Sequence, residues 1–322
     1  MQWKSLWTKS KGSIYQSPAW AEARRISGDT PRFLAIKESG QLKAGLLYFE
    51  RTKNLPLIGK VKFLFSEGNP LSLTEEGYNE ILKKFKKVSK NFFYGINYPL
   101  VLFPLNKKLE EERYKKVTNH TLILNLSTSE EELWKGLEKK SSRWGVKTAE
   151  KNKLGFVPAS NEKEISDFYN IYKETVKQGR FSPEKIGFIK EITKSGIGNL
   201  FLIKSNNIIL GGGLILLDKN NKYAILNLTA SSAEGQKKQA MPYLYWNLIL
   251  YAKSQNLKYF DFGGYDTRAT EGDKLYNINK FKGRFGAEIK PQYIYSTGLK
   301  YSFLRGLLDK SAFFKDMYFR KK

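Results

Sequence analysis

Hydrophobic residues recur along this chain with two periods, one typical of helices and the other of strands. Tyr78, Ile81, Leu82, Phe85 and Val88 lie at helical spacing and form one apolar stripe. Short runs of β-branched and aromatic residues, bounded by glycine and asparagine turns, predict strands between such helices. This alternation predicts an α/β chain.

The first half of the pattern predicts a helix, three strands, a second helix and two more strands. Pro18 lies near the first turn of the first helix, and Thr74 is the expected cap of the second. The predicted strands cover residues 33–37, 44–51, 60–65, 92–97 and 122–126.

The second half predicts the same order of elements. Ser129 and Glu132 form a capping-box pattern that opens a long predicted helix. Its expected buried side carries Leu133, Trp134, Leu137 and Trp144. Two further helices then lead to predicted strands at 200–204, 208–217 and 223–229, a helix at 242–255, and strands at 257–262 and 289–295.

This order resembles two GNAT-like (N-acetyltransferase-like) α/β domains, each a mostly antiparallel sheet flanked by helices, with a cleft between them. We predict the first domain at residues 1–145, completed by a C-terminal helix at 299–322, and the second at residues 146–298.

Charge and composition narrow the function classes. The chain has 56 Lys and Arg against 31 Asp and Glu, a net charge of +25, which favours RNA, DNA or an anionic membrane surface as partner. A generally lysine-rich composition without a binding site is the alternative. The absence of cysteine excludes thiolate catalysis and disulfides. A single histidine, His120, leaves no multi-histidine metal site, and we expect neither a metal nor a cofactor.

The pattern contains no apolar signal region and no run of about 20 apolar residues, the length that a membrane-spanning helix needs. We therefore expect a cytoplasmic protein. We also expect it to be a monomer. The aromatic and basic C-terminus adds the expectation of peripheral contact with the anionic inner face of the membrane.

The densest candidate chemistry lies near the C-terminus. Tyr259-Phe260-Asp261-Phe262-Gly263-Gly264 predicts a buried strand that ends at two glycines, and residues 279–286 predict a basic, aromatic loop. The motif Asp261-Phe262-Gly263-Gly264, followed by Phe281-Lys282-x-x-Phe285-Gly286, resembles the C-terminal signature of the FemABX-type peptidyltransferases.

That resemblance implies an enzyme that moves an amino acid from aminoacyl-tRNA to the amine of a peptidoglycan-precursor stem peptide, carried on a UDP-linked or lipid-linked muropeptide. Many members of that family carry a coiled-coil arm, but this sequence has no sustained heptad run, so we expect a compact member without the arm. Lys282 matches the lysine that the family uses at the aminoacyl-tRNA end, where we expect it to contact the terminal adenosine ribose or phosphate and to stabilise the oxyanion. Phe281 is expected to stack on the adenine or to pack in the core. Asp261 is expected to order the loop or to act as a base, and Arg284 is a further substrate-binding candidate.

The remaining candidates are basic or aromatic residues whose alternative role is an ordinary surface charge or packing. Arg24 and Arg25 fall where the family has a phosphate-binding cation in the first domain, and Arg180 resembles the arginine of the second. Tyr243 is a candidate for holding the stem peptide. The expected tRNA-binding residues are Lys139, Lys140, Arg143, Lys147 and Lys290.

Two other functions stay open from the sequence. A GNAT-fold acyltransferase would use acyl-CoA or another thioester on a sugar or amine. In the corresponding loop, however, Gln239 and Met241 stand where small residues are usual, and Pro242 lacks an N–H for the pyrophosphate. The second alternative is a non-catalytic RNA-binding protein.

Overall fold

The computed structural model describes residues 2–55, 59–89, 93–98, 107–111, 114–178 and 182–296. Its contacts divide the chain into two compact units, Met1–Asn119 with Gln292–Lys322, and His120–Pro291. The predicted helix at 299–322 lies outside the described residues. The domain limits at 145/146 and 298/299 stay a prediction.

The first unit is built around a mixed sheet. Its strands follow the order β1-β2-β3-β5-β12, with β4 beside β2. The β3–β5 pair is parallel, whereas β1–β2, β2–β3, β2–β4 and β5–β12 are antiparallel. The elements are α1 (Gln2–Lys9), α2 (Pro18–Ser27), β1 (Thr30–Glu38), β2 (Gln41–Leu55), β3 (Gly59–Glu67), β4 (Leu71–Ser72), α3 (Glu75–Ser89), β5 (Phe93–Tyr98), α4 (Lys107–Glu111), the start of β6 (Lys115–Asn125) and the end of β12 (Glu288–Ser296).

The second unit carries a sheet in the order β6-β11-β10-β9-β8-β7. Its β10–β11 pair is parallel and the others are antiparallel. Besides most of β6, the elements are α5 (Glu130–Gly136), a π-helical turn (Lys139–Arg143), α6 (Trp144–Lys151), β7 (Gly155–Pro158), α7 (Glu162–Gln178), α8 (Ile186–Ser195), β8 (Gly198–Ser205), β9 (Ile208–Asp218), β10 (Tyr223–Ser231), α9 (Ala233–Lys237), α10 (Ala240–Ser254), β11 (Tyr259–Tyr265) and α11 (Lys274–Gly283).

Both units repeat one topology. Three antiparallel strands are followed by a helix and by a strand that returns parallel to the third. These elements are β1, β2, β3, α3 and β5 in the first unit, and β8, β9, β10, α10 and β11 in the second. The parallel return requires a crossover, which the helix supplies. The predicted α/β class and the repeated order of elements are confirmed.

Helices cover both faces of the second sheet. A Cβ atom built on Gly212 would meet the ring of Phe168 from α7, and one built on Gly213 would meet Leu244 from α10. Neighbouring residues of a strand face opposite sides, so α7 and α10 lie on opposite faces. The α10 helix is apolar around most of its circumference, as expected of a helix enclosed in a core.

The long helix predicted after Ser129 is wrong. The capping box is present, with the Glu132 N–H donating to Ser129 Oγ, but α5 ends at Gly136 and Leu137 is extended at ψ 140°. The Glu138 N–H instead donates to the Arg284 carbonyl at 2.8 Å, which a continuous helix would not allow. The chain resumes as the π-helical turn and α6, and Trp144 is 55% exposed rather than buried.

Within the described ranges, no helix combines the length and apolar character needed to cross a bilayer.

Candidate active site

The strand β11 passes through its two glycines instead of ending there, which corrects the expected strand break. Asp261 pairs with Ile123 of β6 and Gly264 pairs with Thr121, so Phe262 and Gly263 bulge opposite Leu122. Gly263 has φ +80°, a conformation that side chains other than glycine seldom adopt. The bulge leaves the Gly264 carbonyl oxygen as the acceptor for Lys282 Nζ at 3.2 Å.

Asp261 holds this bulge from inside the core. Its carboxylate is 2% exposed and accepts hydrogen bonds from the Thr121 hydroxyl, the Gly263 N–H at 2.8 Å and the Tyr223 hydroxyl at 3.2 Å. Burial raises the pKa of Asp261 to about 6, although these hydrogen bonds and the nearby Lys282 charge act to lower it. The Asp261 carboxyl group therefore connects β6 and β10 to the bulge of β11, where Lys282 binds.

Lys282 lies on a helix, not on the basic loop expected from the sequence. The helix α11 is anchored by Asn279, which exchanges hydrogen bonds with the backbone of Asp266. Lys282 is half-buried in its last turn, and burial lowers the pKa of Lys282 while the Asp261 charge acts to raise it. Lys282 therefore donates to a backbone carbonyl and lies within the electrostatic influence of the buried Asp261 carboxyl group.

An aromatic cluster fixes the helix end on the core. The ring of Tyr245 from α10 lies 5.1 Å from Phe281, 5.2 Å from Phe285 and 5.9 Å from Phe262, centroid to centroid. Edge and tilted contacts at these distances are favourable for aromatic rings. Burial raises the pKa of Tyr245 to about 12, so its hydroxyl stays neutral.

A cavity of about 970 Å³ lies beside this cluster, within the second unit. Its cationic lining residues are Lys140, Lys274, Lys282 and Arg284, and among the described lining residues there is no aspartate or glutamate. Its apolar wall is formed by Trp144, Val176, Met241, Pro242, Tyr245, Ile278 and Phe281. Arg284 pairs with Glu138, so the positive charge of the lining comes from the three lysines. A cavity with apolar walls and net positive charge suits an anionic ligand that carries a flat or apolar group.

The cavity opens next to the end of a parallel strand pair. The pairing of β10 with β11 covers Tyr223–Ile225 and Tyr259–Asp261. Directly after it, β10 shifts register against β9 between Leu226 and Leu228, opposite the bulge of β11. Thr229 of β10 follows the last residue that pairs with β11, and it lines the cavity. Both strands are therefore irregular beside the cavity. Bulges of this kind are common next to active sites.

The loop before α10 has the features that disfavour a pyrophosphate. Gln239 adopts φ 63° before the helix, and Met241 and Pro242 line the cavity. Pro242 has no N–H to offer in the first helical turn, and it packs so closely on α6 that a Cβ atom on Gly145 would lie 2.7 Å from it.

The expected tRNA-binding residues are spread over three elements. Lys139, Lys140 and Arg143 belong to the π-helical turn, Lys147 to α6 and Lys290 to β12. Of these five, Lys140 lines the cavity. Arg143 Nε donates to the Leu137 carbonyl at 2.9 Å, and Lys290 pairs with Glu288 at 2.5 Å.

Some of the predicted substrate-binding residues line the cavity and others do not. Phe281 and Arg284 line the cavity, and Arg284 Nε lies 3.0 Å from Glu138. Tyr243 is half-buried on α10 and does not line the cavity. Tyr245, which the sequence analysis did not select, lines it instead. Arg180 lies outside the described residues.

Arg24 and Arg25 belong to the first unit. Arg24 is 8% exposed and pairs with Asp29 at 2.9 Å, with the rings of Trp20, Phe49 and Phe65 around its guanidinium. Arg25 is exposed and pairs with Glu22 at 2.6 Å on the same helix. Their role in phosphate binding stays a prediction.

Comparisons with known proteins agree on the fold. No protein-family model matches the chain, and no curated protein does. The structure of FemX matches with a TM-score of 0.71 at 15% identity, over 96% of this chain and 99% of FemX. L-PGS from Bacillus licheniformis matches with a TM-score of 0.65 at 13% identity, over 96% and 94% of the two chains.

A third structure is the C-terminal domain of a putative lysylphosphatidylglycerol synthetase from Agrobacterium fabrum. It matches with a TM-score of 0.63 at 12% identity, over 94% of this chain and 95% of that domain. The chain therefore shares its fold with FemX and L-PGS, as both the order of its elements and the FemABX-type resemblance predicted.

Proposed function

We propose that the protein is an aminoacyltransferase that moves an amino acid from aminoacyl-tRNA to the amine of a peptidoglycan-precursor stem peptide. The observation that carries this proposal is a cavity lined by Lys282, which donates to the Gly264 carbonyl, together with Lys140 and Lys274. Its fourth cation, Arg284, pairs with Glu138. The fold shared with FemX and L-PGS supports a transferase of acyl or aminoacyl groups.

The chemistry needs no nucleophile from the protein. An aminoacyl ester on a ribose is already activated, so the acceptor amine attacks its carbonyl carbon directly. The C–O bond to the ribose then breaks, the amine loses a proton and the ribose oxygen gains one. No histidine or cysteine lines the cavity among the described residues, which agrees with a site that works by positioning and charge.

Lys282 is suited to stabilise the tetrahedral oxyanion of that reaction. An ammonium group has three N–H donors, and the Gly264 carbonyl accepts from one of them. The Gly264 carbonyl holds the lysine at the β11 bulge, and the Asp261 carboxyl group supports that bulge by accepting from the Gly263 N–H. Little reorganisation is therefore needed in the transition state.

The positive cavity also favours a neutral acceptor amine. An ammonium group that enters a site lined by Lys140, Lys274 and Lys282 is destabilised by like charges. Its pKa falls, which increases the fraction in the nucleophilic, neutral form. Deprotonation of the acceptor therefore requires no dedicated carboxylate base in the cavity.

The donor is the first property to test. Wild-type protein is incubated with radiolabelled aminoacyl-tRNA or with labelled acetyl-CoA, and with a UDP-linked or a lipid-linked muropeptide as acceptor. We expect label from aminoacyl-tRNA, and not from acetyl-CoA, on one muropeptide. Transfer from acetyl-CoA would instead support a GNAT-type acyltransferase. Binding of tRNA without transfer to either acceptor would support an RNA-binding protein and contradict the proposal.

A further inference from the structure

Trp144, the first residue of α6, has an uncovered ring on the wall of the cavity. It is 55% exposed, and among the described residues it has no ring contact and no hydrogen bond to its indole N–H. A single exposed apolar side chain is ordinary on an open surface, but an indole ring that lines a cavity is available to a ligand. The other tryptophans all have partners: Trp3 and Trp7 donate to backbone carbonyls, Trp20 donates to Glu67, and Trp134 packs against Trp246.

Two lysines of the same cavity carry positive charge that no described carboxylate compensates. Lys140 lies four residues before Trp144, across the π-helical turn, and Lys274 begins α11. Both are exposed, and neither forms an ion pair with a described residue. Arg284 differs, because it pairs with Glu138. The uncovered ring of Trp144 therefore shares its cavity with cations that an anionic ligand can reach.

The side-chain amide of Gln239 lies beside the residue that follows Trp144. A Cβ atom built on Gly145 would lie 3.2 Å from Gln239 Oε1. The amide N–H donates to the Gln236 carbonyl at 3.3 Å, whereas Oε1 accepts no hydrogen bond from a described residue. Gln239 also lines the cavity. An amide oxygen accepts from the amino or ring N–H groups at the edge of a nucleobase.

These features together select a nucleotide. A flat base can stack on Trp144 while its phosphate compensates the lysines and its edge donates to Gln239. A phospholipid headgroup would use the charges, but it has no flat group for the indole ring and no base edge for the amide. The observations therefore favour a nucleotide over a membrane surface.

We propose that Trp144 stacks on a nucleobase of a substrate whose phosphate lies near Lys140, and that Gln239 contacts the edge of that base. Under the proposed function, both the 3′ end of the RNA donor and the uridine nucleotide of a UDP-linked acceptor carry such a group. The choice between these two sources rests on the proposed function. The stacking contact does not, because a nucleotide coenzyme carries the same chemistry.

Binding measurements test the contact directly. A fluorescent RNA trinucleotide CCA and UDP, each with a counterpart that lacks the bases, are titrated against wild type, Trp144→Phe, Trp144→Leu and Leu275→Ala. Coenzyme A and vesicles of phosphatidylglycerol are titrated in the same way. Leu275 supplies the control, because it is an exposed apolar residue of α11 that does not line the cavity. Thermal unfolding of the four proteins is recorded in parallel.

We expect Trp144→Leu to bind CCA or UDP about tenfold more weakly, the effect of one lost base–aromatic stack. Trp144→Phe should keep most of the affinity, because a phenyl ring also stacks. Removing the bases should cost wild type more affinity than Trp144→Leu, since the contact is already lost in the variant. All four proteins should melt at similar temperatures, and Leu275→Ala should match wild type in binding.

The ligand that loses affinity identifies the source of the base. A loss on CCA assigns Trp144 to the donor, and a loss on UDP assigns it to the acceptor. A loss confined to coenzyme A supports the stacking contact and contradicts the RNA donor of the proposed function.

The remaining outcomes overturn the stacking contact. These are equal binding of all nucleotides by wild type and Trp144→Leu, even if wild type transfers amino acids, and failure of wild type to bind any nucleotide. An equal penalty for base removal in both proteins, a loss as large in Trp144→Phe as in Trp144→Leu, or a loss that follows a lower melting temperature also overturns it. A loss confined to the vesicles would indicate a membrane contact instead.

Discussion

Lys282 Nζ donates to the carbonyl oxygen of Gly264 at 3.2 Å, and this bond joins the end of α11 to the bulge of β11. Both halves of the FemABX-type motif meet there, although 18 residues separate them in the chain. The bond fixes a cation at the wall of a cavity that also carries Lys140, Lys274 and Arg284. The first half of the motif therefore supplies the carbonyl group that positions the lysine of the second half.

Asp261 gives the stability of the protein a specific pH dependence. The pKa of about 6 in the folded state lies above the ordinary aspartate value of 3.8, so the folded state holds this proton more tightly. The stability that this proton adds to the folded state is present at low pH and is lost as pH rises through 6. Between pH 4 and pH 7.5, wild type should lose about 2–3 kcal/mol more unfolding free energy than Asp261→Asn.

Urea unfolding of both proteins at the two pH values measures this difference, with Asp167→Asn, a change at a partly exposed carboxylate on α7, as control. Parallel pH profiles for wild type and Asp261→Asn would show that the Asp261 carboxyl group does not carry the linkage.

Gly263 is the position at which the bulge is most sensitive to substitution. An added Cβ has room, since its nearest atoms are the Leu226 carbonyl oxygen and Lys282 Nζ at 3.7 Å. The φ of +80° is the obstacle, and Gly263→Ala should cost about 1–2 kcal/mol of unfolding free energy. Gly264→Ala is the matched control, because its Cβ meets nothing within 4 Å and its φ is not positive.

Denaturant unfolding of both glycine variants provides the comparison. Equal stability of Gly263→Ala and Gly264→Ala would indicate that the left-handed conformation at Gly263 is not required.

Lys140 is the predicted tRNA contact that lines the cavity. If it touches a phosphate, Lys140→Ala should weaken binding of deacylated tRNA and reduce the slope of log Kd against log salt concentration by about 1. Lys219, exposed in the turn between β9 and β10, supplies the control substitution. Anisotropy titrations at several salt concentrations measure the slope, and an unchanged slope in Lys140→Ala would exclude a phosphate contact.

Arg24 and Arg25 should differ in stability. Removing Arg24 takes one of two arginine partners from the buried Asp29, which Arg51 also contacts at 2.6 Å, and deletes a guanidinium packed on three rings. Arg24→Ala should cost about 2–4 kcal/mol, whereas Arg25→Ala removes an exposed pair and should cost less than about 1 kcal/mol.

Chemical denaturation of Arg24→Ala and Arg25→Ala tests this order. A stable Arg24→Ala variant that binds the muropeptide less well would instead favour the phosphate-binding role predicted from the sequence.

The fold could be predicted from the sequence because its helices and strands depend mainly on patterns among neighbouring residues. The apolar stripe of α3, the capping box at Ser129 and the short strands of both sheets were readable from periodicity. The break at Leu137 was not, because it depends on a hydrogen bond from Glu138 to Arg284, which is distant in the chain. The bulge at Gly263 was not readable from the sequence either, because it depends on how β11 pairs with the distant strand β6.

The site was predictable to the extent that the motif marked it. Phe281, Lys282 and Arg284, which were selected from the basic segment, line the cavity, and their roles stay predictions. Tyr245 was missed for a physical reason. Because α10 is apolar around most of its circumference, its pattern does not separate Tyr245 from Tyr243.

The most direct test of the account is the rate of aminoacyl transfer by Lys282→Ala, compared with wild type and with Lys280→Ala. Lys280 is exposed on the same helix and does not line the cavity. We predict that Lys282→Ala lowers kcat by about 10²–10³ with little change in the acceptor KM, because the oxyanion loses its cationic donor. Lys280→Ala should keep the wild-type rate. If a folded Lys282→Ala protein transfers at the wild-type rate, Lys282 is not the donor that stabilises the oxyanion.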